Sequence, residues 1–235
     1  MRKIFRATTA LAALATFALA GAAHADGIEQ TGKFQVKVMA TGVLTDGSVN
    51  KVKNDTAGLV SSGTVTNTQT NDNLVPTVAL EYFLTKNISI ETICCVTGHH
   101  VTITGGAAKG IGAVDNINII PATFTAKYHL QLPYGIKPYV GVGPTLFIVL
   151  SDRPSDTVRS LGVTRTKLSS DFGVALQAGV DLAVTKHYSF SLDAKKYWVN
   201  TTATFYAPSL PGGIALQTEH KLDPWVLSAG VAYRF

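Results

Sequence analysis

Apolar and polar positions alternate through most of the chain after its first 25 residues. The last segment has a wholly apolar face, formed by Trp225, Leu227, Ala229, Val231, Tyr233 and Phe235. Its opposite face carries mostly small or polar residues, among them Ser228, Gly230, Ala232 and Arg234. A period of two indicates β-strands, and an apolar outer face over a small, polar inner face is typical of strands that cross a membrane. The pattern therefore predicts a transmembrane β-barrel.

Eight segments of this kind are long enough to cross a membrane as tilted strands. They are 33–44, 74–84, 88–98, 118–131, 137–149, 169–184, 188–199 and 220–235. Short turns at 85–87, 132–136 and 185–187 alternate with long connections at 45–73, 99–117, 150–168 and 200–219. This alternation predicts an all-β fold, an eight-stranded antiparallel transmembrane barrel with short periplasmic turns and long extracellular loops. The first loop is long enough to contain a further hairpin, which would add two strands.

The first 25 residues have the features of a secretory signal peptide. Three basic residues precede an apolar stretch over 7–23, and residues 23–25 have the small-x-small form of a cleavage site. We therefore expect 1–25 to be removed and 26–235 to form one outer-membrane barrel domain. Removal lowers the formal net charge from +5 to +2, because the leader holds three basic residues and no acidic one. A chain with so little net charge is not expected to bind nucleic acid.

The composition of the chain excludes a membrane protein built of helices. Charged residues make up 15% of the chain, against about 25% in an average soluble domain. Contact with lipid is therefore expected. After the leader, however, no apolar run approaches the roughly 18 residues that a spanning helix needs.

Five stretches of the chain resemble the OmpW family of Gram-negative outer-membrane proteins. They are Val75-Pro-Thr-Val-Ala-Leu-Glu-Tyr-Phe83, Ala122-Thr-Phe-Thr-Ala-Lys-Tyr-His-Leu130, Lys137-Pro-Tyr-Val-Gly-Val-Gly-Pro144, Phe172-Gly-Val-Ala-Leu-Gln-Ala-Gly-Val-Asp181 and Leu222-Asp-Pro-Trp-Val-Leu-Ser-Ala-Gly-Val-Ala-Tyr-Arg-Phe235. The resemblance covers nearly all of the mature chain except the loops. It implies an eight-stranded barrel in the outer membrane that lets small hydrophobic compounds pass.

The alternation assigns eight charged side chains, four of each sign, to the lumen. They are Lys37, Glu81, Glu91, Lys127, Asp181, Asp193, Lys195 and Arg234. Seven lie within a few residues of a periplasmic turn or a chain terminus, and Lys195 lies higher. Since the interior of an eight-stranded barrel is just wide enough for side chains, we expect this layer to close the lower lumen as a salt-bridged plug. The plug either only stabilises the barrel or has a gating or proton-sensing role.

Inward positions above this layer are small or apolar and carry no charge. The upper lumen lining is predicted to include Val43, Ile93, Thr123, Gly143, Thr145, Gly173, Ala175 and Val226. We expect small hydrophobic solutes to enter here from outside and to leave sideways into the membrane, because passage downwards would separate paired charges. Pro144 and Pro224 lack the N–H that a strand ladder needs, so their strands are candidates for the exit, although ordinary bulges explain both prolines equally well. The alternative is a closed barrel that displays its loops to phage or other cells, without transport.

The sequence predicts no enzyme, no cofactor and no metal site. It contains no Walker loop, GxSxG or HExxH motif, and the strand register puts no serine beside His220, the base best placed for a lipid hydrolase. Cys94 and Cys95 are neighbours whose side chains point to opposite faces of an extended strand, so a normal disulfide between them is out of reach. We expect both to be small buried hydrophobes.

The expected partners are those of an outer-membrane barrel. Besides small hydrophobic solutes they are membrane lipid, lipopolysaccharide near Lys196, and the outer-membrane assembly machinery. The terminal aromatic residue Phe235 is the predicted assembly signal, because it ends the alternating apolar series of the last strand. The barrel is expected to be a monomer.

Overall fold

The computed structural model describes residues 28–45, 48–70, 72–160 and 162–235. The predicted signal peptide, 1–25, lies outside the described residues. Within the described ranges no helix is long and apolar enough to cross a membrane.

The described chain forms fourteen strands, one short α-helix and two 3₁₀ helices, Pro133–Gly135 and Pro211–Gly213. The strands are β1 (Phe34–Leu44), β2 (Ser48–Asn54), β3 (Asn67–Thr70), β4 (Asn73–Phe83), β5 (Ile88–Cys94), β6 (Thr97–Gly105), β7 (Gly112–His129), β8 (Ile136–Pro154), β9 (Arg165–Leu168), β10 (Asp171–Ala183), β11 (Tyr188–Trp198), β12 (Asn200–Tyr206), β13 (Ile214–Lys221) and β14 (Trp225–Arg234). Helix α1 (Asp156–Ser160) lies between β8 and β9.

Eight of these strands close into a barrel, so the predicted fold is confirmed. The order around the wall is β1-β4-β5-β7-β8-β10-β11-β14, and β14 pairs again with β1; all pairs are antiparallel. Side chains alternate as the sequence predicts: Val38 is 54% exposed on the outer face, whereas its neighbour Lys37 is 1% exposed inside. Closure pairs each of the eight wall strands on both sides, which removes the unpaired edges that lipid does not tolerate.

The long extracellular connections are largely strands rather than loops, and this corrects the sequence prediction. β7 and β8 run for 18 and 19 residues, and β3 and β6 extend the barrel sheet beside them. A separate four-stranded sheet has the order β2-β13-β12-β9. These strands lie beyond the lipid band and need no apolar outer face, so their sequences lack the hydrophobic alternation that marks the spanning strands.

Two predicted segments are interrupted in the structure. The segment 88–98 breaks after β5, and the segment 220–235 breaks at 222–224, between β13 and β14. In the second break Asp223 has a positive φ of 28° and Pro224 has no N–H to donate to a ladder. The strand ladder of the wall therefore stops at this point, at the upper end of the spanning strand β14.

Two of the tight turns at the periplasmic end use the same side-chain chemistry. Thr85 accepts hydrogen bonds through its Oγ1 from the backbone N–H groups of Asn87 and Ile88. Thr185 does the same for His187 and Tyr188. A threonine hydroxyl that bonds the backbone two and three residues ahead stabilises a short turn, which fixes the register of the hairpin that it joins.

Candidate functional site

A network of buried charged side chains fills the lower lumen. The Nζ atom of Lys37 lies 3.2 Å from a carboxylate oxygen of Glu81, 3.3 Å from Glu91 and 3.2 Å from Asp181. The Nζ atom of Lys127 lies 2.8 Å from Glu81 and 2.8 Å from Glu91. All five side chains are at most 3% exposed. Each ammonium thus bridges carboxylates from different strands, which ties the barrel wall together across its interior.

Lys195 forms the upper end of the network. Its Nζ lies 2.7 Å from Asp193 and 3.1 Å from Glu91. The Gln177 amide donates to the same two carboxylates, at 2.8 Å to Glu91 and 2.5 Å to Asp193. Glu91 therefore accepts from Gln177 and from three lysines, and it is the centre of the network.

A histidine and a tyrosine, which the pattern of charged positions does not include, complete the network. His129 Nε2 lies 3.0 Å from Glu81, and the Tyr139 hydroxyl donates to Asp193 at 2.7 Å. The Lys127 ammonium also lies 3.8 Å from the centre of the Tyr139 ring, a cation–π contact. The period of two predicts that the His129 side chain also points inward, since His129 follows the inward Lys127 by two residues.

Arg234 lies apart from the other seven predicted charges, at the periplasmic edge. Its guanidinium carbon lies 3.6 Å from the centre of the Phe83 ring, and its Nε donates to the backbone oxygen of Gly32 at 2.9 Å. The segment before β1 is thereby held against the end of the barrel. Lys137 adds a further contact here, because its Nζ donates to the Gln30 side-chain oxygen at 3.1 Å.

A cavity of about 470 Å³ lies above the charged network and continues into the extracellular strands. Its lining is mainly aliphatic. The barrel strands contribute Val43, Ile93 and Val226, and the extracellular segments contribute Leu59, Val60, Ile103, Ile117, Val163 and Leu210, among others. Ligand pockets in proteins commonly span about 300–1,000 Å³ and are lined by apolar side chains with few polar groups.

The cavity includes only part of the predicted upper lumen lining, and on β1 and β4 it reaches lower, to Met39 and Thr77. Of the eight residues predicted for the upper lumen lining, Val43, Ile93 and Val226 are among the described residues that line it. Phe147 and Tyr197 line the lower part of the cavity, with ring centres 5.5 Å apart, and Ala175 packs in the same cluster. Both aromatic residues follow the period of two, but the alternation alone does not say that two large rings meet across the barrel.

The other four predicted lining residues form contacts within the barrel wall and do not line the cavity. Thr123 and Thr145 share a hydrogen bond of 2.7 Å between their hydroxyl groups. A Cβ on Gly143 would collide with the backbone oxygen of Phe124, and one on Gly173 with the backbone oxygen of Trp198. These glycines allow backbones to approach closely, which is the usual reason for a glycine inside a strand.

The cavity wall is thin where the barrel and the four-stranded extracellular sheet meet. Leu222 and Pro224, in the break between β13 and β14, both line the cavity. A depression of about 410 Å³ lies on the other side of the wall. Asp171 and Asn200 line both spaces. The aromatic residues Phe172 and Trp198, 79% and 43% exposed, border the outer depression.

The ladder at Pro144 is also interrupted, but lower in the wall. Between β7 and β8, Thr123 pairs with Thr145 and Ala126 with Val142, and the residues between these pairs are not joined. The Thr123 hydroxyl donates to Tyr197 Oη at 3.5 Å, so side chains fill the lumen at this level. Of the two proline sites named from the sequence, only the break at Pro224 reaches the cavity.

The remaining predicted residues take these positions. Cys95 is buried and lines the cavity, while the side chain of Cys94 lies outside the described part of the chain. Phe235 exchanges two backbone hydrogen bonds with Phe34, of 3.0 and 2.8 Å, which close the last strand against the first. Among the described residues no group of three or more His, Cys, Asp or Glu side chains is arranged to hold a metal ion.

Comparisons with known proteins agree with the fold. The sequence profile of the OmpW family matches residues 30–235. Outer membrane protein W of Vibrio cholerae serotype O1 is 28% identical over 210 residues, which cover 88% of this chain and 90% of that protein. An uncharacterized outer-membrane protein, y4mB, of Sinorhizobium fredii is 29% identical over 204 residues, covering 86% of this chain and 80% of that protein.

Two solved structures share the architecture. The crystal structure of the outer membrane protein OprG from Pseudomonas aeruginosa superposes with a TM-score of 0.74 at 20% identity, covering 88% of this chain and 97% of that one. The solid-state NMR structure of outer membrane protein AlkL in lipid bilayers gives a TM-score of 0.66 at 18% identity, covering 88% and 91%. Since the family profile matches nearly all of the described chain, this protein belongs to the OmpW family and is an outer-membrane β-barrel protein.

Proposed function

We propose that this barrel admits small hydrophobic compounds from the extracellular side into its apolar cavity and releases them sideways into the membrane. The observation that carries the proposal is the position of the cavity. It is aliphatic, has the size of a ligand pocket and lies directly above a lumen filled with ion-paired side chains. The OmpW family resemblance of the sequence points to the same class of solute.

Passage straight through the barrel is unfavourable. An apolar molecule on that route would have to separate Lys37, Lys127 and Lys195 from the carboxylates that they share. A buried charge that loses its partner is strongly destabilised, and an apolar solute offers nothing in exchange. The lower lumen therefore acts as a closed floor, and the solute leaves through the wall.

The break beside Pro224 is the exit that the contacts favour. Here Asp171 and Asn200 separate the cavity from the outer depression. The wall is held by side-chain-assisted bonds as well as by the ladder: the Ser169 hydroxyl accepts from the Thr202 backbone N–H at 2.8 Å, and Thr201 Oγ1 donates to the Ser169 backbone oxygen at 2.9 Å. Such bonds open at a lower cost than a continuous strand ladder does, because fewer of them act together.

A reversible crosslink across this part of the wall tests the route. The hydroxyl oxygens of Ser169 and Thr201 lie 3.4 Å apart, so cysteines at the two positions have the proximity that a disulfide needs. With Cys94 and Cys95 replaced by alanine, we expect oxidation of the Ser169→Cys/Thr201→Cys variant to lower the uptake of radiolabelled octane at least tenfold. The measurement uses whole Gram-negative cells with an intact lipopolysaccharide leaflet, and a reductant should restore the uptake.

The matched control crosslinks the other interruption of the wall. Thr123 and Thr145 have hydroxyl oxygens 2.7 Å apart beside Pro144. Oxidised Thr123→Cys/Thr145→Cys should take up octane as the parent does. If only this control blocks uptake, the exit lies at Pro144. If octane uptake does not exceed that of cells without the barrel, the transport proposal is wrong and the barrel displays its extracellular strands without transport.

A further inference from the structure

The floor of the cavity is polar, although the rest of its lining is mainly aliphatic. Thr77, Lys195 and Tyr197 all line the cavity and are each at most 2% exposed. The Oγ1 atom of Thr77 has no hydrogen-bond partner among the residues that the structure describes. A buried hydroxyl without a partner is destabilising, and a ligand in the cavity that Thr77 lines would supply the missing bond.

Lys195 and Tyr197, which line the same cavity, also retain hydrogen-bonding capacity. An ammonium carries three N–H donors, and the bonds of Lys195 to Asp193 and Glu91 account for two of them. The Tyr197 hydroxyl accepts a long bond of 3.5 Å from Thr123, which leaves its own O–H to donate. The floor therefore offers donors, together with one hydroxyl that both donates and accepts.

The charge around the floor selects against ions. Lys195 is already shared by the carboxylates of Glu91 and Asp193, so an anionic head group would meet two negative charges and no unpaired cation. A cationic head group would lie beside the Lys195 ammonium and be repelled. A neutral group that accepts hydrogen bonds, and donates one, fits the floor best.

We propose that this floor is a subsite for the polar end of an uncharged amphiphile, with a medium-chain primary alcohol as its simplest form. The hydroxyl of the alcohol bonds to Thr77, Lys195 and Tyr197, and its alkyl chain extends upwards between Ile93, Val43 and Val226. This inference rests on the proposed function, because it names the solute class that the same cavity prefers.

Binding of three eight-carbon probes to the full barrel in lipid nanodiscs tests the subsite. We expect 1-octanol to bind at least fivefold more tightly than octane and than octanoate, after subtraction of binding to empty nanodiscs. Thr77→Val, which replaces the hydroxyl by a methyl group, should weaken 1-octanol binding about five- to tenfold, the typical effect of one net hydrogen bond, and leave octane binding unchanged. Thr77→Ser, which keeps a hydroxyl, should retain most of the preference.

Thr70→Val is the matched control. Thr70 also lines the cavity and is 7% exposed, but it belongs to β3 in the extracellular part. The same change of hydroxyl for methyl should leave the preference for 1-octanol intact there. In addition, nuclear Overhauser contacts should join the C1 protons of 1-octanol to the methyl groups of Thr77 and Ile93, and the terminal methyl group to residues higher in the cavity.

The outcomes separate the two proposals. If octane binds but 1-octanol binds no better, or if Thr77→Val weakens both equally, or if the alcohol lies with its terminal methyl group at Thr77, the subsite is refuted while the hydrophobic cavity stands. If none of the probes binds above empty nanodiscs, the proposed function itself fails.

Discussion

The lower and the upper lumen of this barrel are formed by the same strands, but the lower lumen is filled and the upper lumen is hollow. Below, the inward side chains are long and charged and fill the interior with ion pairs of 2.7–3.3 Å around Glu91. Above, the inward side chains are mainly aliphatic and enclose a cavity of about 470 Å³. The two regions meet directly, since Lys195 belongs to the charged network and also lines the cavity.

This contrast shows how a narrow barrel can be filled at one level and hollow at another. Eight strands leave just enough room for side chains, so the choice of side chain at each inward position decides whether a level is filled or hollow. The long charged residues reach across the lumen and meet their partners. Valine and isoleucine are too short to meet across it and leave a space.

The largest expected effect comes from the centre of the filled region. Glu91→Gln removes the carboxylate that Lys37, Lys127 and Lys195 share. Breaking a buried ion pair by removing one partner typically costs about 3–5 kcal/mol, and we expect an unfolding free energy lower by that amount in urea titrations in phospholipid vesicles. Small-ion conductance should also rise, because the floor loosens. Glu219→Gln, which breaks the exposed pair with Lys53, should change neither quantity measurably.

The second effect tests which face meets lipid. Val231 is 50% exposed on the outer face of β14, opposite Val38 of β1. Val231→Arg should destabilise the barrel by about 2–4 kcal/mol, the cost of a cation at the bilayer midplane. Leu84→Arg, just after β4 at the periplasmic turn, should cost at most about 1 kcal/mol, because the side chain reaches the interface. Equal costs in the same titrations would contradict the depth assigned to Val231.

The third prediction distinguishes the wall of the barrel from the wall of the cavity. Gly143→Ala should destabilise the barrel by about 1–3 kcal/mol through overpacking, because its Cβ would collide with Phe124. Ile93→Trp, at the cavity surface, should leave the barrel folded but lower octane uptake by filling the space. A Gly143→Ala barrel of unchanged stability, or unimpaired uptake by Ile93→Trp, would show that the boundary between wall and cavity lies elsewhere.

The smallest effect concerns the extracellular rim of the cavity. Burial disfavours the ionised form of Asp55, but hydrogen bonds from the backbone N–H groups of Ser61, Val60 and Leu59 outweigh it and lower the pKa of Asp55 below its usual value. A lowered pKa in the folded state means that this contribution is present at neutral pH and is lost as the pH falls through that pKa.

Amide hydrogen exchange of the residues after Asp55 checks this effect. Protection of Leu59 and Ser61, corrected for the intrinsic rate, should fall between pH 7 and pH 3, and Asp55→Asn should show the weaker protection already at pH 7. Protection in the lower barrel strands should not change with Asp55→Asn. A parent protein whose rim is equally protected at both pH values would contradict the role of the carboxylate.

The period of two determined much of this protein from its sequence alone. Lipid demands an unbroken apolar outer face, so the eight spanning strands and the inward positions of Lys37, Glu81 and Glu91 could be assigned before any contact was known. The tight turns could also be predicted from the sequence, because only a few residues separate the two spanning strands that each turn joins. Hydrophobic alternation is therefore a strong signal wherever lipid covers one side of a strand.

Only the tertiary structure decided where the lumen is hollow and where its wall is thin. The extracellular strands have water rather than lipid outside, so nothing forces their outer face to be apolar, and the alternation therefore predicts loops there. Three features depend on strands that are far apart in sequence. They are the contact between Phe147 and Tyr197, the close approach of Gly143 to Phe124, and the unpartnered hydroxyl of Thr77. The alternation gives the side of the wall on which a residue lies, whereas the barrel's stagger and side-chain sizes decide what it meets there.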